Sequence, residues 1–481
     1  MRASLALTGT TALAAAVTTA ARRVSRFRPT AGAAEPVDLA GLDADAAAGR
    51  LAELIRIPTV SYRDRAEVDE EAFARFRARL AELYPRTHAA LEREQLGDGA
   101  LLYRWRGTTD EPPLVLMAHY DVVPVEGQDW TRDPFAGLIE DGVVHGRGAI
   151  DDKGYLVAIL EAVEALVTEG FTPRRDVWLS FGNDEEVTGV GAQLAVAAFT
   201  ERGIRPWAVL DEGGAVVTGM FPGVPGQVAV VGLAEKGRLD VELVTTDPGG
   251  HASSPTPGGA PARLAKAITA LDEHPFPARM NDVVLGMVDA AGRYASGPLR
   301  AVFAHAGSLG PVLARVLAGA GREANALVRT TVAVTRLEGS KAGNVLATTA
   351  KAHLNIRIAL GETVGTTVER LRRVIGDPTV ELRVLPGGAD PSPVSVVGND
   401  AYEAVAAAAR AAYPDAVVAP YLMVQASDSR HFAEICDSVY RFMPFAVTRE
   451  ELAALHAADE RISIAALHRG AGFVRHLLRS I

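Results

Sequence analysis

The chain has 481 residues, 48 % of them hydrophobic and 22 % charged, with a formal net charge of −10. That length and apolar content are enough for two domains with sizeable cores, and the acidic balance argues against nucleic acid as a partner. The single cysteine, Cys436, excludes an intramolecular disulfide and any zinc site built on thiolates, and its place next to Ile435 reads as a small core residue.

At the N-terminus, Ala3 to Ala21 is an uncharged run flanked by Arg2 and by Arg22-Arg23. Its length approaches a membrane span, but alanine, threonine and glycine dominate, so it is only weakly hydrophobic. An export signal, a signal anchor and a plain leader remain open; the basic residues after the run favour an anchor or a leader over a clean cleavage site. Residues 1–23 are thus expected to be a hydrophobic leader or membrane anchor, making the protein membrane-anchored or exported, with a cytoplasmic protein as the alternative. Residues 24–38, rich in Pro, Ala and Arg, read as a linker.

From residue 39 onward helices alternate with strands. Asp43 to Arg56 is amphipathic, with Leu51, Leu54 and Ile55 on one side and Pro58 soon after its end. Leu114 to Ala118 is an apolar strand that runs out into His119 and Asp121. The i, i+2 spacing puts both side chains on one face, which suits either a simple hydrogen-bonded pair or a metal-ligating histidine oriented by a carboxylate. His145-Gly-Arg-Gly-Ala-Ile-Asp-Asp-Lys-Gly154 follows, and its two aspartates, Asp151 and Asp152, open a helix. They serve equally well as capping groups that complement the helix dipole. That helix, Gly154 to Glu169, carries Leu156, Leu160, Val163 and Val167 on one stripe, and Gly170 closes it.

Val177 to Phe181 is a buried strand ending in Gly-Asn-Asp-Glu185-Glu186. Two adjacent carboxylates at the end of an apolar strand repel each other and push a pKa up, unless a cation or a shared proton relieves them. A divalent metal taking one carboxylate, with the other free as a general base, resolves the conflict; a solvated acidic turn is the simpler reading of the pair alone. Trp207 to Leu210 gives a third short apolar run ending in a carboxylate, Asp211. Three strand ends and one helix start, all acidic or imidazole, are hard to explain as unrelated surface turns. No Walker-type loop is present, Gly146-Arg-Gly148 lacks a third glycine at dinucleotide spacing, and no Gly-x-Ser-x-Gly elbow occurs.

Five segments in order, Leu116-Met-Ala-His-Tyr-Asp-Val-Val-Pro124, Gly146 to Gly154, Phe181 to Gln193, Leu210-Asp-Glu-Gly-Gly214 and Gly249-Gly-His-Ala-Ser-Ser-Pro255, closely resemble the co-catalytic zinc peptidases and amidohydrolases. That family includes carboxypeptidase S, carnosinase, aminoacylase and succinyl-diaminopimelate desuccinylase, and the carboxypeptidase S branch is nearest in wording. The resemblance implies two zinc ions per subunit: His119 and Asp211 on one, Glu186 and His456 on the other, with Asp151 bridging. It implies Glu185 as the general base, Asp121 as the carboxylate that orients His119, and a cis peptide between Asp151 and Asp152. Histidine and carboxylate donors without cysteine independently suit zinc, with cobalt or manganese as substitutes. One departure stands out. The family has His-Gly-x-Asn-Glu around its last histidine, whereas this chain has Ala457 and Asp459 between His456 and Glu460.

Short strands next to helices imply βα units, so the expected fold is α/β: a mixed, largely parallel sheet in a catalytic domain of residues 39–231 and 391–481, with the ligands where strands run out. Residues 232–390 change pattern. Strands Leu239 to Val244, Thr331 to Leu337, Ala350 to Ile358 and Val380 to Val384 interleave with helices Arg263 to Leu271 and Val364 to Ile375. This reads as an inserted α+β domain, the position of the family's lid or dimerisation domain, so a homodimer through the lid is a candidate partner. The Ala- and Gly-rich stretch 278–323 is left unassigned by the pattern.

On the lid side the resemblance implies that His251 stabilises an oxyanion, within one chain or across a dimer, and that Asn344 lies near the substrate. Arg357, alternating with apolar neighbours, has the chemistry to clamp a substrate carboxylate; a turn histidine and a surface-strand arginine are the plainer alternatives. Asp428-Ser-Arg-His431 resembles a stretch that closes the site. The implied activity is hydrolysis of an amide bond in a small peptide with a free C-terminal carboxylate, or alternatively in an N-acyl amino acid. A non-catalytic, membrane-tethered binding protein on the same scaffold is a third reading. Against it, all seven positions implied for metals, base and orienting carboxylate hold competent residues.

Overall fold

A computed structural model describes residues 22–29, 34–187, 189–219, 221, 223–255 and 257–481. The expected leader therefore lies outside the described residues as far as residue 21, as does part of the linker. Among the described residues no helix is long and apolar enough to cross a membrane.

The strands of the two main sheets are, in chain order, β1 (Glu92–Leu96), β2 (Ala100–Trp105), β3 (Leu114–His119), β4 (Val177–Gly182), β5 (Ala208–Thr218), β6 (Gln227–Glu235), β7 (Gly237–Thr246), β8 (Thr331–Glu338), β9 (Thr349–Ile358), β10 (Glu381–Val384), β11 (Val417–Met423) and β12 (Val439–Val447). The large sheet has the order β1-β2-β4-β3-β5-β12-β6-β11. Its centre, β4-β3-β5-β12, is parallel; β1 and β2 are antiparallel additions, and β6 reverses direction with β11 parallel to it. The fold is the expected mixed, largely parallel α/β sheet.

Every residue of β3 and β4 is buried, which is why both read as unbroken apolar runs rather than alternating ones. The two-residue period sends Leu114, Leu116 and Ala118 into one layer with helix Lys153–Thr168, and Val115 and Met117 into the opposite layer with helix Gly191–Glu201. The sheet is covered on both faces. Helix Ala44–Ile55 adds to the first layer through Leu51, Leu54 and Ile55, and Asp43 caps it by accepting from the backbone N–H groups of Asp45 and Ala46.

The smaller sheet, β8-β9-β7-β10, is antiparallel throughout. In β9 the residues Ala350, Ala352, Leu354, Ile356 and Ile358 face inward and pack on helices Ala260–Glu273 and Val364–Ile375 as a separate core. The second helix coincides with its expected bounds, since Thr363 caps one end and Gly376, at φ 61°, terminates the other.

The unassigned stretch is helical: Asp282–Gly292, Gly297–Ala304 and Gly310–Gly319. It joins the large sheet rather than the small one. Val283, Val284 and Met287 enter the main core, and Ala291 and Ala295 pack with Val228, Val230, Val417 and Ala419 over the β6–β11 margin. These helices are apolar on most faces, so they lack the contrast on which periodicity depends. Their destination is set by an edge that needs cover.

Candidate metal centre

Four carriers converge at the C-terminal ends of the parallel strands. β3 ends on His119, β4 runs into the turn Glu185–Val187, β5 carries Glu212, and the loop before helix Lys153–Thr168 carries Asp151. His456 arrives from the segment after helix Arg449–Ala454. His119 Nε2 lies 3.1 Å from Asp151 Oδ1 and 3.6 Å from Glu212 Oε1. His456 Nε2 lies 3.1 Å from Asp151 Oδ2 and 3.1 Å from Glu186 Oε2. Asp151 thus addresses one histidine with each oxygen. Two donor sets, His119 with Glu185 and Glu212, and His119 with Asp151 and Glu186, hold their ligand atoms within 4.8 Å of one another. The Asp151–Asp152 peptide is cis.

Asp121 stands behind this arrangement, fully buried. Its Oδ1 is 3.3 Å from His119 Nδ1, and its carboxylate accepts the backbone N–H groups of Glu185 at 3.2 Å and Glu186 at 3.1 Å. One carboxylate therefore orients the imidazole and fixes the turn that carries both glutamates.

Asp211, the residue expected as a ligand, is placed differently. Its Oδ2 accepts the Ser429 backbone N–H at 2.9 Å, and it belongs to neither donor set. Adjacent strand residues point to opposite sides, so it is Glu212 that reaches His119. The strand period separates the two, since Leu210 and Glu212 share a face and Asp211 does not, but it does not say which face meets His119.

The His456 segment also explains its departure from the family pattern. Asp459 sits at φ 62°, a left-handed conformation that aspartate tolerates as asparagine does. Its Oδ1 accepts from the backbone N–H and hydroxyl of Thr131, both at 2.9 Å. Glu460 is buried. Its Oε2 accepts from Arg147 Nη1 at 2.7 Å and Gly148 N at 3.0 Å, and its Oε1 from Ile150 N at 2.8 Å and Asp151 N at 3.0 Å. The His456 segment is thereby tied to the Asp151 loop.

The electrostatics are those of a site crowded with carboxylates. Burial, reinforced by Glu212, pushes Glu185 well above the usual carboxylate range. Burial with Asp151 nearby moves Glu186 to about 7 and Glu212 to about 8. Burial opposes protonation of His119, yet its hydrogen bonds to Asp121, Asp151 and Glu212 raise it overall. Hydrogen bonds to Asp151 and Glu186 raise His456 to about 10. Burial and Glu212 raise Asp152, and burial with Asp211 raises Asp428. Glu186 Oε1 and Asp152 Oδ1 are buried without a hydrogen-bond partner among the described residues. So much buried negative charge, with an orphaned oxygen on a donor, fits a site built for divalent cations.

The lid residues divide. Arg357 pairs with Arg238 across β9 and β7; burial lowers the pKa of both, Arg430 close by adds to this, and Glu185 partly opposes it at Arg238. Arg238 carries no motif in the sequence, whereas Arg430 lies in the Asp428–His431 stretch expected to close the site; the strand register and the chain return after β11 bring the two here. His251 and Asn344 sit together on the short pairing of Gly250–His251 with Val345–Leu346, both exposed. Asn344 O accepts the Ala252 N–H at 3.1 Å, and His251 Nδ1 lies 2.7 Å from Ser253 Oγ. No hydrogen bond or ion pair joins either to the cluster among the described residues. Cys436 is buried among Phe432, Ile435 and Val439.

Comparison with known proteins identifies the family and the fold. Residues 115–480 match the model of peptidase family M20/M25/M40. A protein named Probable carboxypeptidase S-like 2 from Dictyostelium discoideum is 33 % identical over 440 residues, covering 90 % of this chain and 84 % of that protein. The N-fatty-acyl-amino acid synthase/hydrolase of Xenopus tropicalis is 33 % identical over 434 residues, covering 89 % and 84 %. Among solved structures, an M20 family metallo-carboxypeptidase from Sulfolobus solfataricus superposes with a TM-score of 0.68 at 20 % identity, over 90 % of this chain and 98 % of that one. Human carnosine dipeptidase 1 does so with a TM-score of 0.63 at 15 % identity, over 91 % and 96 %.

Proposed function

The chain belongs to peptidase family M20/M25/M40 and is an enzyme of the metallopeptidase and amidohydrolase kind, and from that premise we propose that it hydrolyses an amide bond next to a free carboxylate, using two divalent metals. The observation that carries the reading is Asp151, whose two oxygens face two different histidines at equal distance. His119 and Glu212 would hold one ion and Glu186 and His456 the other, with Asp151 shared. Glu212 replaces Asp211 in this assignment. Nitrogen and oxygen donors suit zinc, with cobalt or manganese able to substitute. When bound, such ions polarise an amide carbonyl and make a water nucleophile available near neutral pH.

The chain's own residues supply the rest. Glu185, held by the Asp121 contact to its backbone, takes a proton from the attacking water at its carboxylate and passes it to the leaving nitrogen. Arg357, with Arg238 and Arg430 beside it, binds the substrate carboxylate and sets which amide bond faces Glu185. His251 donates to the oxyanion, and Asn344 contacts the substrate, when the small-sheet part of residues 232–390, acting as a lid, closes over the site or when the lid of a second copy reaches it.

Two substrate classes meet this description: peptides with a free C-terminus, and N-acyl amino acids. The second is favoured specifically by the relative named as an N-fatty-acyl-amino acid synthase/hydrolase. Amino-acid release from matched dipeptides and long-chain N-acyl amino acids by zinc-reconstituted protein, with Glu185→Gln as control, decides between them. Release from neither set overturns the proposed activity, and release that survives Glu185→Gln removes Glu185 as the base.

A further inference from the structure

Residues 290–322 contain four arginines, Arg293, Arg300, Arg315 and Arg322, and not one aspartate or glutamate, in a chain whose net charge is −10. They build helices Gly297–Ala304 and Gly310–Gly319 on the margin of the large sheet. The second helix is apolar on both sides. Ala314 is buried and Leu317 packs against the main core, while Val312 is 55 % and Val316 59 % exposed, with Leu309 and Leu299 exposed at 37 % each. Leu309, Val312 and Val316 follow an i, i+3, i+7 spacing and so form one outward stripe. Arg315 and Arg322 are exposed beside it. A helix that is apolar all round is normally buried; this one is not.

A second basic feature lies at the end of helix Asp282–Gly292. Arg22, Arg23 and Arg26 share a hollow with Asp289 and Arg293, and the Arg293 guanidinium lies 5.1 Å from the ring centre of the buried Phe27. Exposed aliphatic side chains beside the exposed Arg315 and Arg322, in a stretch of 33 consecutive residues without aspartate or glutamate, match an anionic lipid bilayer in both polarity and charge.

We propose that the face formed by Leu309, Val312 and Val316, with Arg315 and Arg322 beside it, is a membrane-docking surface that rests on anionic bilayers without crossing them. The aliphatic stripe enters the headgroup boundary, and the arginines meet the lipid phosphates.

The test is co-sedimentation of the full chain with phosphatidylcholine vesicles and with mixed phosphatidylcholine–phosphatidylglycerol vesicles. Binding to the mixed vesicles is expected to fall as salt rises and to drop roughly tenfold in Val312→Asp/Val316→Asp. Val312→Ser/Val316→Ser is expected to weaken binding in the same direction by a smaller factor. Both sites are exposed, so hydrolysis of a short soluble substrate should be unchanged in either variant, which distinguishes lost docking from lost folding. Failure of the parent chain to bind mixed vesicles overturns the proposal. So does equal binding by parent and both variants, or a change of oligomeric size in the variants with vesicle binding intact, which would assign the face to a second copy of the chain.

Discussion

The metal side and the lid side of the candidate site differ in how complete each is. His119, Asp121 and Glu212 are buried, and each is held by a neighbour whose own position is fixed by a parallel strand or by a backbone N–H. His251 and Asn344 are exposed, bonded mainly to their own loop. The contrast is physical. Ligands must be oriented before a cation arrives, because crowded carboxylates do not stay in place unaided. An oxyanion donor needs to be in place only when the substrate is. One side is therefore built into the fold, and the other, on the proposed reading, waits for a motion or a partner.

The strongest way to break this comparison is at the base. Glu185→Gln should lower turnover about a thousandfold while metal content, read by mass spectrometry, stays the same; a large loss of metal would make Glu185 a ligand instead. Next in size is the contrast between neighbours. Glu212→Gln should cost about one metal per chain and more than ~100-fold in activity, whereas Asp211→Asn, acting through the Ser429 contact, should cost about 10- to 100-fold with metal retained. The reverse order would restore Asp211 as the ligand.

On the lid side, His251→Ala should lower kcat by about 100-fold with little change in KM or metal. Mixing His251→Ala with Glu185→Gln protein sharpens the point: recovered activity shows that the histidine comes from a second copy, and no recovery shows closure within one chain. Arg357→Lys should raise KM about tenfold for substrates with a free carboxylate and leave their amidated analogues unaffected, because a bidentate contact is lost. A uniform effect on both would remove Arg357 from recognition.

The smallest effect concerns stability. Burial and the charge of Arg357 hold Lys236 down to about 7 from its ordinary 10.5, although its Nζ donates to Ala326 O at 2.9 Å and Arg329 O at 2.8 Å. Between those pH values the unfolded chain carries a proton that the folded one lacks. Stability contributed by this group therefore rises with pH through the window and is lost as pH falls toward 7, by about 1.4 kcal/mol per unit. Urea unfolding should show a shallower pH dependence in Lys236→Met than in the parent; identical slopes would remove the depressed amine.

Much of the fold was legible because its contrasts are local. β3 and β4 announce themselves as apolar runs that stop at polar groups, helix Val364–Ile375 carries both of its caps, and His119, Asp151, Glu185, Glu186 and His456 stand in ordered motifs. The Asp211–Glu212 pair shows where such reading stops. A motif names two adjacent carboxylates, and only the side of β5 that faces His119 chooses between them. Helices 282–319 were illegible for the opposite reason, since a sequence apolar on every face records burial but no direction.

The residues themselves dictate the strands, the caps and the donor chemistry, because these depend on neighbours within one or two turns of chain. The tertiary structure alone decides that Glu460 ties the His456 segment to the Asp151 loop across more than three hundred residues, that Arg238 and Arg430 gather around Arg357, and that one helix leaves its valines to the solvent. Each of these is a contact between distant segments, and its energy exists only once the sheet has brought them together.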